Sequence, residues 1–331
     1  ESTAHYALNL ELFLENAHHS FMEVNPVLIK EYKKSTTLRR TKTDSVDCES
    51  IARWLITVEY KPHSKGFYHA YSLKSLTRLR DRLIRQRSFY LVKITNVLDH
   101  TFPEFKPFFN ERLSKTALYL LENYGSAEKM ARMNSASYDK LRCISRGKFS
   151  IQQFLRLKEL AANTVGVNNS IFDLELNTLL TLYKSLSDEI NTLETEIIKL
   201  IEEVHPHYMS IPGIGPISAA VIYAEYGDIS NFSNPGQMLA FAGIEPGIND
   251  SGTESHGGRM VKHGSSQLRY VLLNACLPLI RFDLTFATYY EKKRAEGKKH
   301  RVAITHVAKK LIRVIYALER QDVDFNAQKL R

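Results

Sequence analysis

Three acidic residues near the start of the chain have types and positions suited to metal-dependent phosphoryl transfer. Asp44 and Asp47 are three positions apart at a predicted helix start, so both carboxylates can point to one side, and Glu1 is the third acid. Converging carboxylates bind Mg²⁺, and a metal pair can activate a nucleophile and stabilise a leaving oxygen. The alternative is structural, with Asp44 as a helix N-cap and Asp47 as a first-turn acid. Spacing alone favours this alternative.

A serine in the glycine-rich stretch 241–275 is the second candidate. Ser251 follows an aspartate and has glycines on both sides, an arrangement that can expose a hydroxyl to a substrate. Its candidate partners are Arg259, Lys262 and Arg269 for a phosphate and its developing charge, and His256 and His263 as bases. An ordinary loop serine explains the same pattern, and the pattern alone favours that explanation.

The sequence IPGIGP, residues 211–216, predicts a tight turn between two helices. Gly213 and Gly215 allow the turn, and in helix-hairpin-helix modules such a turn presents backbone N–H groups to a DNA phosphate. Ala219 and Ala220 let the following helix pack closely. A plain helix connection would need the same residues, but we favour sequence-independent gripping of a nucleic-acid backbone.

Positive charge is concentrated in parts of the chain. The whole sequence has 45 Lys and Arg against 36 Asp and Glu, a net charge of +9, and residues 251–331 contain 16 basic and 7 acidic residues. One predicted helix contains Arg78, Arg82 and Arg85, and guanidinium groups suit phosphate backbones. A solvated helix face is the alternative for each basic cluster. An anionic partner, with nucleic acid the commonest, is the favoured interpretation.

Composition excludes several classes of protein. A length of 331 residues predicts two or three domains, and 44% hydrophobic with 24% charged residues excludes disorder for most of the chain. The three cysteines form no CxxC pair, which disfavours a zinc site or a disulfide framework and favours a reducing compartment. No stretch approaches the ~20 apolar residues of a membrane span.

Hydrophobic periodicity predicts a mainly helical chain. The predicted helices cover residues 4–16, a segment from Asp44, 73–100, 171–204, 267–290 and 301–320, with shorter helices and loops over 105–150. A short strand-like run is predicted within 18–26, a basic loop within 30–42, and a loop over 234–266. Within 171–204 a heptad-like seam predicts self-association: Leu186, Ile190, Leu193, Ile197, Leu200 and Val204.

Taken together, these motifs resemble the DEDD-type transposases of bacterial insertion sequences, the IS110 family. The matching segments run the length of the chain in order: ESTAHY, RRTKTDSVDCESIARWL, TRLRDRLIRQRSFYLVKITNVLDHTFPEF, IPGIGPISAAVIYAEYGDISNF, AGIEPGINDSG and GGRMVKHGSSQLRYVLLNA. Each segment is weak by itself, whereas their order and spacing are highly specific.

The resemblance implies a fold and domain organisation. It implies an α/β RuvC-like (RNase H-like) domain over 1–150, a coiled-coil or dimerisation segment over 151–205, and a mostly helical serine transposase domain over 206–331 with a helix-hairpin-helix-like element. The family's first acid lies on an opening β-strand that precedes the position of Glu1. We therefore expect an N-terminally incomplete RuvC-like domain, weak Mg²⁺ binding and little recombination.

The resemblance also implies the chemistry. Glu1, Asp44 and Asp47 match the second, third and fourth acids of the DEDD metal site, and Ser251 matches the nucleophile that forms a covalent phosphoserine link to DNA. The implied cofactor is Mg²⁺. The implied partners are target and donor DNA, a bridge RNA that guides the reaction, and further copies of the chain as dimers that assemble into a tetramer. A bacterial cytoplasmic, nucleoid-associated protein without a membrane partner is implied.

Two other functions remain open at this point. One is a nucleic-acid-binding remnant of such a transposase that performs no chemistry. The other is a RuvC-like metal-dependent junction nuclease, in which the carboxylates cut DNA and Ser251 has no part.

Overall fold

The structure is a computed structural model that describes residues 6–36, 43–60, 67–110, 113–251 and 254–330. Glu1 lies outside these residues. The described chain is mostly helical and divides into two compact units, residues 1–68 and 69–331. The predicted domain boundaries after residues 150 and 205 both fall within the second unit, and they remain a prediction.

The first unit contains three helices: α1 (Ala7–Asn16), α2 (Pro26–Thr36) and α3 (Asp44–Thr57). The helices predicted over 4–16 and from Asp44 are confirmed, but the strand predicted within 18–26 is wrong. The amide of Val27 donates to Asn25 Oδ1 at 2.9 Å, and Pro26 is the first residue of α2. Asn25 and Pro26 therefore begin a helix, as an amide cap and an N-terminal proline do elsewhere. This helix also replaces the first part of the predicted basic loop.

The second unit contains the remaining elements. Its helices are α4 (Phe67–Thr101), α5 (Phe105–Phe108), α6 (Lys115–Tyr124), α7 (Ala127–Ala131), α8 (Ser135–Ile144), α9 (Ile151–Ala162), α10 (Ser170–Val204), α11 (Pro216–Tyr226), α12 (Pro235–Ala242), α13 (Ser266–Phe282), α14 (Leu284–Ala295) and α15 (His300–Gln321). Its strands are β1 (Pro246–Ser251) and β2 (Glu254–Met260), which form an antiparallel hairpin.

Two long helices, α4 and α10, are each 35 residues in length and run antiparallel. Near the start of α4, Leu73 shares a hydrophobic cluster with Ile197 and Ile201 from the end of α10. Near the end of α4, Leu98 shares a second cluster with Leu180 from the first half of α10. The two helices therefore connect both hydrophobic clusters of this unit.

The seam of α10 packs within the same chain. Ile190 and Ile197 are buried, and Leu193 and Leu200 pack against the cluster that contains Leu73. Val204 at the end of the seam is exposed. Most of the apolar surface that predicted self-association is thus already covered, because α4 and the C-terminal helices lie on it.

The C-terminal part is built on one core. Helices α11, α12, α13 and α15 bury residues such as Ala219, Met238, Leu272 and Leu311 together. The helices predicted over 267–290 and 301–320 are confirmed as α13, α14 and α15, whereas the loop predicted over 234–266 contains α12 and the hairpin. The sequence alternation that marks a strand is absent there, because glycines and polar residues fill β1 and β2.

The described residues do not confirm an α/β RuvC-like fold for the first 150 positions. Strands occur only at β1 and β2 in the part of the chain that the structure describes. The α/β fold therefore remains a prediction. Among the described helices, no single one is long and apolar enough to span a bilayer. Taken together, α13 and α14 have sufficient length and apolar content, but the chain bends by 106° between them.

Candidate active site and nucleic-acid interface

The hairpin places Ser251 at the far end of β1. The register pairs Ser251 with Glu254, Asp250 with Ser255 and Asn249 with His256, so Ser251 belongs to the last pair before the connecting residues. The backbone of Ser251 is held by its pairing with Glu254 on the neighbouring strand. The loop predicted from the sequence would not hold the serine in this way.

The three basic residues that follow Ser251 do not share its position. Arg259 lies on β2 where the register shifts, between the pairs Ile248–Gly257 and Pro246–Met260. Lys262 is exposed just beyond the end of β2, and its φ is +56°. Six residues of β1 at ~3.4 Å each place Lys262 roughly 20 Å from the hairpin tip.

Arg269 is on α13 at the base of the hairpin. Its Nη1 donates to the backbone carbonyl of Ala242 at 3.1 Å, at the end of α12, and the side chain is partly buried. Of the two candidate bases, His256 is within β2, whereas His263 is exposed at the same base as Lys262. Within one chain the structure thus separates the hairpin tip from Lys262, His263 and Arg269.

The turn IPGIGP connects a 3-10 turn, His207–Ser210, to α11. Gly213 has φ +96°, and a Cβ there would lie 2.7 Å from Cγ of Pro278 on α13. Gly215 is the N-cap of α11, Pro216 is its first residue, and a Cβ at Gly215 would meet nothing within 4 Å. Gly213 is therefore required by packing against α13, whereas Gly215 leaves the start of α11 open.

The arginines of α4 have separate environments. Arg78 donates from Nε and Nη2 to the two oxygens of Glu225 at 2.9 and 3.2 Å, and the Glu225 side chain is only 1% exposed. Arg85 pairs with Asp81 one turn earlier at 2.8 Å and remains mostly exposed, and Arg82 is exposed. Of the three predicted phosphate ligands on α4, Arg82 and Arg85 face solvent and Arg78 is held by a buried carboxylate.

The two described acids of the predicted metal site lie in the first turn of α3. Thr43, not Asp44, is the N-cap, because its hydroxyl oxygen accepts a hydrogen bond from the amide of Val46 at 3.4 Å. Asp44 is exposed, and Asp47 forms an ion pair with Lys33 of α2. The structural alternative for Asp44 as a cap is therefore wrong, and Asp47 already has a cationic partner.

These acids do not make a metal site by themselves. Among the residues that the structure describes, no group of three or more His, Cys, Asp or Glu side chains is arranged to hold a metal ion. DEDD transposases and RuvC-like nucleases generally use divalent metals. Two carboxylates, one of them bound to Lys33, do not fit a complete site of that kind.

Sequence reasoning missed two charged networks. Glu225 is the only acidic residue in the apolar helix α11. Because a buried charge requires a partner, an acid in such a helix is a sequence signal for a buried ion pair. His207 hydrogen-bonds through Nδ1 to Asp324 at 3.0 Å and through Nε2 to Asp322 at 2.9 Å. No local sequence pattern predicts the network of His207, because its aspartate partners are more than a hundred positions away.

The buried cysteine Cys276 and the buried tyrosines offer no reactive group to the site. Cys276 is buried and its thiol donates to the carbonyl of Leu272, and burial raises its pKa to about 12. Burial also raises the pKa of Tyr208 and Tyr226, whose hydroxyls donate to backbone carbonyls. These groups are protonated parts of the core at neutral pH.

Comparison with protein families finds matches for two segments of the chain. A model described as "Transposase IS116/IS110/IS902 family" matches residues 206–291, and a DEDD transposase model of the IS110 type matches residues 1–103. The class defined by these matches is an insertion-sequence transposase with a DEDD domain. The chain belongs to the IS110/IS116/IS902 family of transposases.

Similarity to individual proteins agrees with this family. The chain is 27% identical over 245 residues to "Insertion element IS110 uncharacterized 43.6 kDa protein" of Streptomyces coelicolor, an alignment of 71% of this chain and 60% of that protein. It is 28% identical over 298 residues to "Insertion element IS900 uncharacterized 42 kDa protein" of Mycobacterium paratuberculosis, covering 84% of this chain and 71% of the relative.

A third relative is named for its activity. The chain is 25% identical over 260 residues to "Transposase for insertion sequence element IS1111A" of Coxiella burnetii, an alignment that covers 78% of this chain and 59% of the relative. The alignment thus spans about three fifths of the first and third relatives.

Proposed function

We propose that this chain acts as an insertion-sequence transposase or recombinase that cuts and rejoins DNA through Ser251. The observation that carries the proposal is the position of Ser251. It lies within the segment 206–291 that matches the transposase family model, and it ends β1 at the tip of the hairpin. The hairpin carries the backbone of Ser251 roughly 20 Å from the base of the hairpin, and we propose that a phosphodiester of a DNA strand binds at this end.

The proposed chemistry is a two-step exchange at phosphorus. The Ser251 oxygen attacks the phosphorus and loses its proton, the bond to the leaving strand oxygen breaks, and that oxygen accepts a proton. The resulting phosphoserine ester conserves one phosphodiester bond. A hydroxyl of another strand then attacks the same phosphorus and returns Ser251 to its free form. A free serine is a weak nucleophile, so neighbouring groups must activate it or neutralise the phosphate.

Nucleic-acid binding is proposed for the exposed groups predicted from the sequence. Gly215 and the open start of α11, with Gly213 shaping the turn, would hold a phosphate by backbone N–H groups. Arg82 and Arg85 on α4, and Lys262 beside the hairpin, are exposed cations that would contact the backbone. Arg259 is a further phosphate ligand in this hypothesis. For Arg78 and Arg269, whose guanidinium groups already bond to protein acceptors, phosphate binding is the alternative to a structural role, and the experiments below separate the two.

A role for divalent metal is proposed on family grounds. Asp44 and Asp47 would supply two carboxylates to a Mg²⁺ ion within a RuvC-like domain, with Glu1 as a third. Oxygen donors of this kind suit Mg²⁺. Binding would require Asp47 to exchange Lys33 for the metal, because the ion pair occupies that carboxylate.

Guidance by RNA and assembly are proposed from the family resemblance. A bridge RNA would select target and donor DNA by base pairing, while the protein holds the duplex through its backbone. Dimers that assemble into a tetramer would bring several serines to one DNA junction. Such a protein would work on the nucleoid in the bacterial cytoplasm.

A covalent-trapping experiment tests the serine. The chain and Ser251→Ala are incubated with labelled donor DNA and Mg²⁺, with and without the RNA transcribed from its insertion sequence, and denatured before electrophoresis. We expect labelled protein with the parent and none with Ser251→Ala. The labelled peptide, identified by mass spectrometry, should contain Ser251.

Two results would replace the proposal. Strand cleavage that persists in Ser251→Ala but disappears in Asp44→Ala and Asp47→Ala would indicate a carboxylate-dependent nuclease. DNA binding without adduct or cleavage, in the parent and in a longer chain with an added N-terminal segment, would indicate a binding protein without chemistry.

A further inference from the structure

The base of the hairpin is a close crossing of two backbone segments. Just beyond the paired strands, the amide of Val261 donates a hydrogen bond to the carbonyl of Glu245 at 3.0 Å. Below it, a Cβ at Gly264 would lie 2.3 Å from the carbonyl oxygen of Phe241 and 2.9 Å from the amide nitrogen of Gly243. Such distances are below any real contact of a Cβ, so the crossing requires glycine.

Gly243 closes the crossing from the other side. Its φ is +65°, a left-handed conformation that favours glycine, and a Cβ there would lie 2.7 Å from Nη1 of Arg269 and 3.1 Å from the carbonyl of His263. The guanidinium of Arg269 therefore fills the space beside Gly243. A larger residue at this position would displace the guanidinium.

Arg269 connects the end of α12 to the start of α13. Its Nη1 donates to the carbonyl of Ala242 at 3.1 Å, and the amide of Ser265 donates to the carbonyl of Phe241 at 3.2 Å. These are carbonyls of the last turn of α12, which have no partner within the helix. A cation is also favoured at that end by the helix dipole. Arg269 thus satisfies a helix end and is not simply a surface cation.

Buried residues make this base part of the core. Ile244 is 1% exposed and Leu268 is fully buried, one on each side of the hairpin base. Since the hairpin extends roughly 20 Å from this base, a change of about 10° in its direction would move the tip by about 3.5 Å. Misplacement of a reacting group by about 1 Å can lower a rate by roughly 100-fold.

We propose that Arg269 is a positioning residue that sets the direction of the hairpin and thereby the position of Ser251. The inference rests on the proposed function for its effect on the reaction, although the clamp itself can be measured without activity. It differs from the prediction that Arg269 binds a phosphate, because a phosphate ligand would change DNA affinity and leave the hairpin base unaltered.

Amide hydrogen exchange on the full chain tests the clamp. In Arg269→Leu we expect exchange at Ile244, Val261 and Ser265 to accelerate at least tenfold, with the core amides of α15 unchanged. Gly264→Ala, which keeps the arginine but fills the crossing, should accelerate the same amides. Arg269→Lys, which keeps one donor, should restore part of the protection. Unchanged exchange at these amides in a folded Arg269→Leu would overturn the proposal.

DNA binding and adduct formation separate positioning from phosphate contact. For Arg269→Leu we expect a DNA dissociation constant and salt dependence within twofold of the parent, and a rate of adduct formation at saturating DNA at least tenfold lower. Lys262→Gln, a cation at the same base, should instead reduce the slope of binding against salt by about one. The same reduced slope for Arg269→Leu would identify a phosphate ligand and overturn positioning.

The experiments distinguish failure of the positioning role of Arg269 from failure of the proposed function of Ser251. If Ser251→Ala still forms the adduct, the serine hypothesis fails, while the exchange data still decide whether Arg269 holds the hairpin base. If the adduct depends on Ser251 but the exchange rates of the hairpin-base amides are unchanged in Arg269→Leu, only the positioning role fails.

Discussion

Arg78 of α4 and Glu225 of α11 form a two-bond ion pair across 147 positions of sequence. Arg78 lies in the segment matched by the DEDD transposase model, and Glu225 lies in the segment matched by the second family model. The carboxylate is buried, and Lys74 approaches it at 3.7 Å. The pair therefore attaches the beginning of a long helix to the helix that follows the IPGIGP turn.

Replacing Arg78 should destabilise the fold. Arg78→Ala leaves the buried Glu225 carboxylate with only Lys74 nearby, so we expect a loss of about 1–3 kcal/mol in the free energy of unfolding. Arg82→Ala is the matched control, because Arg82 is exposed on the same helix, and it should change stability by less than about 0.5 kcal/mol. Urea denaturation followed by circular dichroism measures both. Equal stability of the two variants, with weaker DNA binding by Arg78→Ala, would show that Arg78 serves nucleic acid instead.

The two glycines of the turn should respond differently to alanine. At Gly213 the positive φ and the contact with Pro278 both oppose a Cβ, so Gly213→Ala should cost about 2–4 kcal/mol. Gly215→Ala meets no neighbour and should stay within about 1 kcal/mol of the parent. Because Gly215 leaves the start of α11 open, the same variant should bind DNA several-fold more weakly. Thermal unfolding and fluorescence anisotropy distinguish the two effects, and normal DNA affinity of Gly215→Ala would remove the turn from the interface.

His207 should make the C-terminal segment sensitive to pH. Both ring nitrogens face carboxylates, which only accept hydrogen bonds, so the arrangement requires the imidazolium form. Hydrogen bonds to Asp324 and then to Asp322 raise the pKa of His207 above 6.5. The stabilisation is therefore complete below the pKa of the unfolded chain, about 6.5, and is lost as pH rises through the higher folded value.

The test compares thermal unfolding of the parent and His207→Gln between pH 5.5 and 8.5. The melting temperature of the parent should exceed that of the variant most at the acidic end of this range. The difference between the two melting temperatures should shrink as pH rises. Asp324→Asn should shift the imidazole titration, followed by NMR, toward lower pH. A difference in melting temperature that is the same at every pH would contradict the ion-pair explanation.

Lys33 should compete with a metal for Asp47. Since the ammonium group of Lys33 already neutralises that carboxylate, Lys33→Gln should bind Mn²⁺, as a probe for Mg²⁺, several-fold more tightly than the parent. Lys34→Gln is the matched control, because Lys34 pairs with Glu31 instead. Titration calorimetry measures the three affinities, and Asp47→Asn should remove the gain. Identical binding by the two lysine variants would mean that Asp47 is not a ligand.

Sequence reasoning was most successful for long periodic segments. The helices that became α4, α10 and α15 show apolar residues at helical spacing over many turns, and the signal accumulates with length. It failed at α2 and at the hairpin. The Asn-Pro pair predicts the end of a strand, whereas it begins α2. In β1 and β2 the glycine-rich polar residues lack alternation, so the sequence does not predict strands there.

The candidate site was predicted in part. The residues could be selected from their types and from the family resemblance, and the two family matches cover the segments that contain them. Their roles as ligands and nucleophile remain predictions. The distance between Ser251 at the hairpin tip and Lys262 at its base could not be predicted, because it depends on a pairing register that glycine-rich strands specify weakly.

The family resemblance, the positions of the long helices and the concentration of positive charge near the C-terminus follow from the amino-acid sequence alone. These properties depend on local spacing and composition, which the linear chain contains directly. Three other features come from the packing of distant segments: Arg78 pairs with Glu225, the seam of α10 is covered by the same chain, and Arg269 bonds to the end of α12 at the hairpin base. Each of these depends on which distant groups become buried together, and the cost of leaving a buried charge or carbonyl without a partner then selects the pairing.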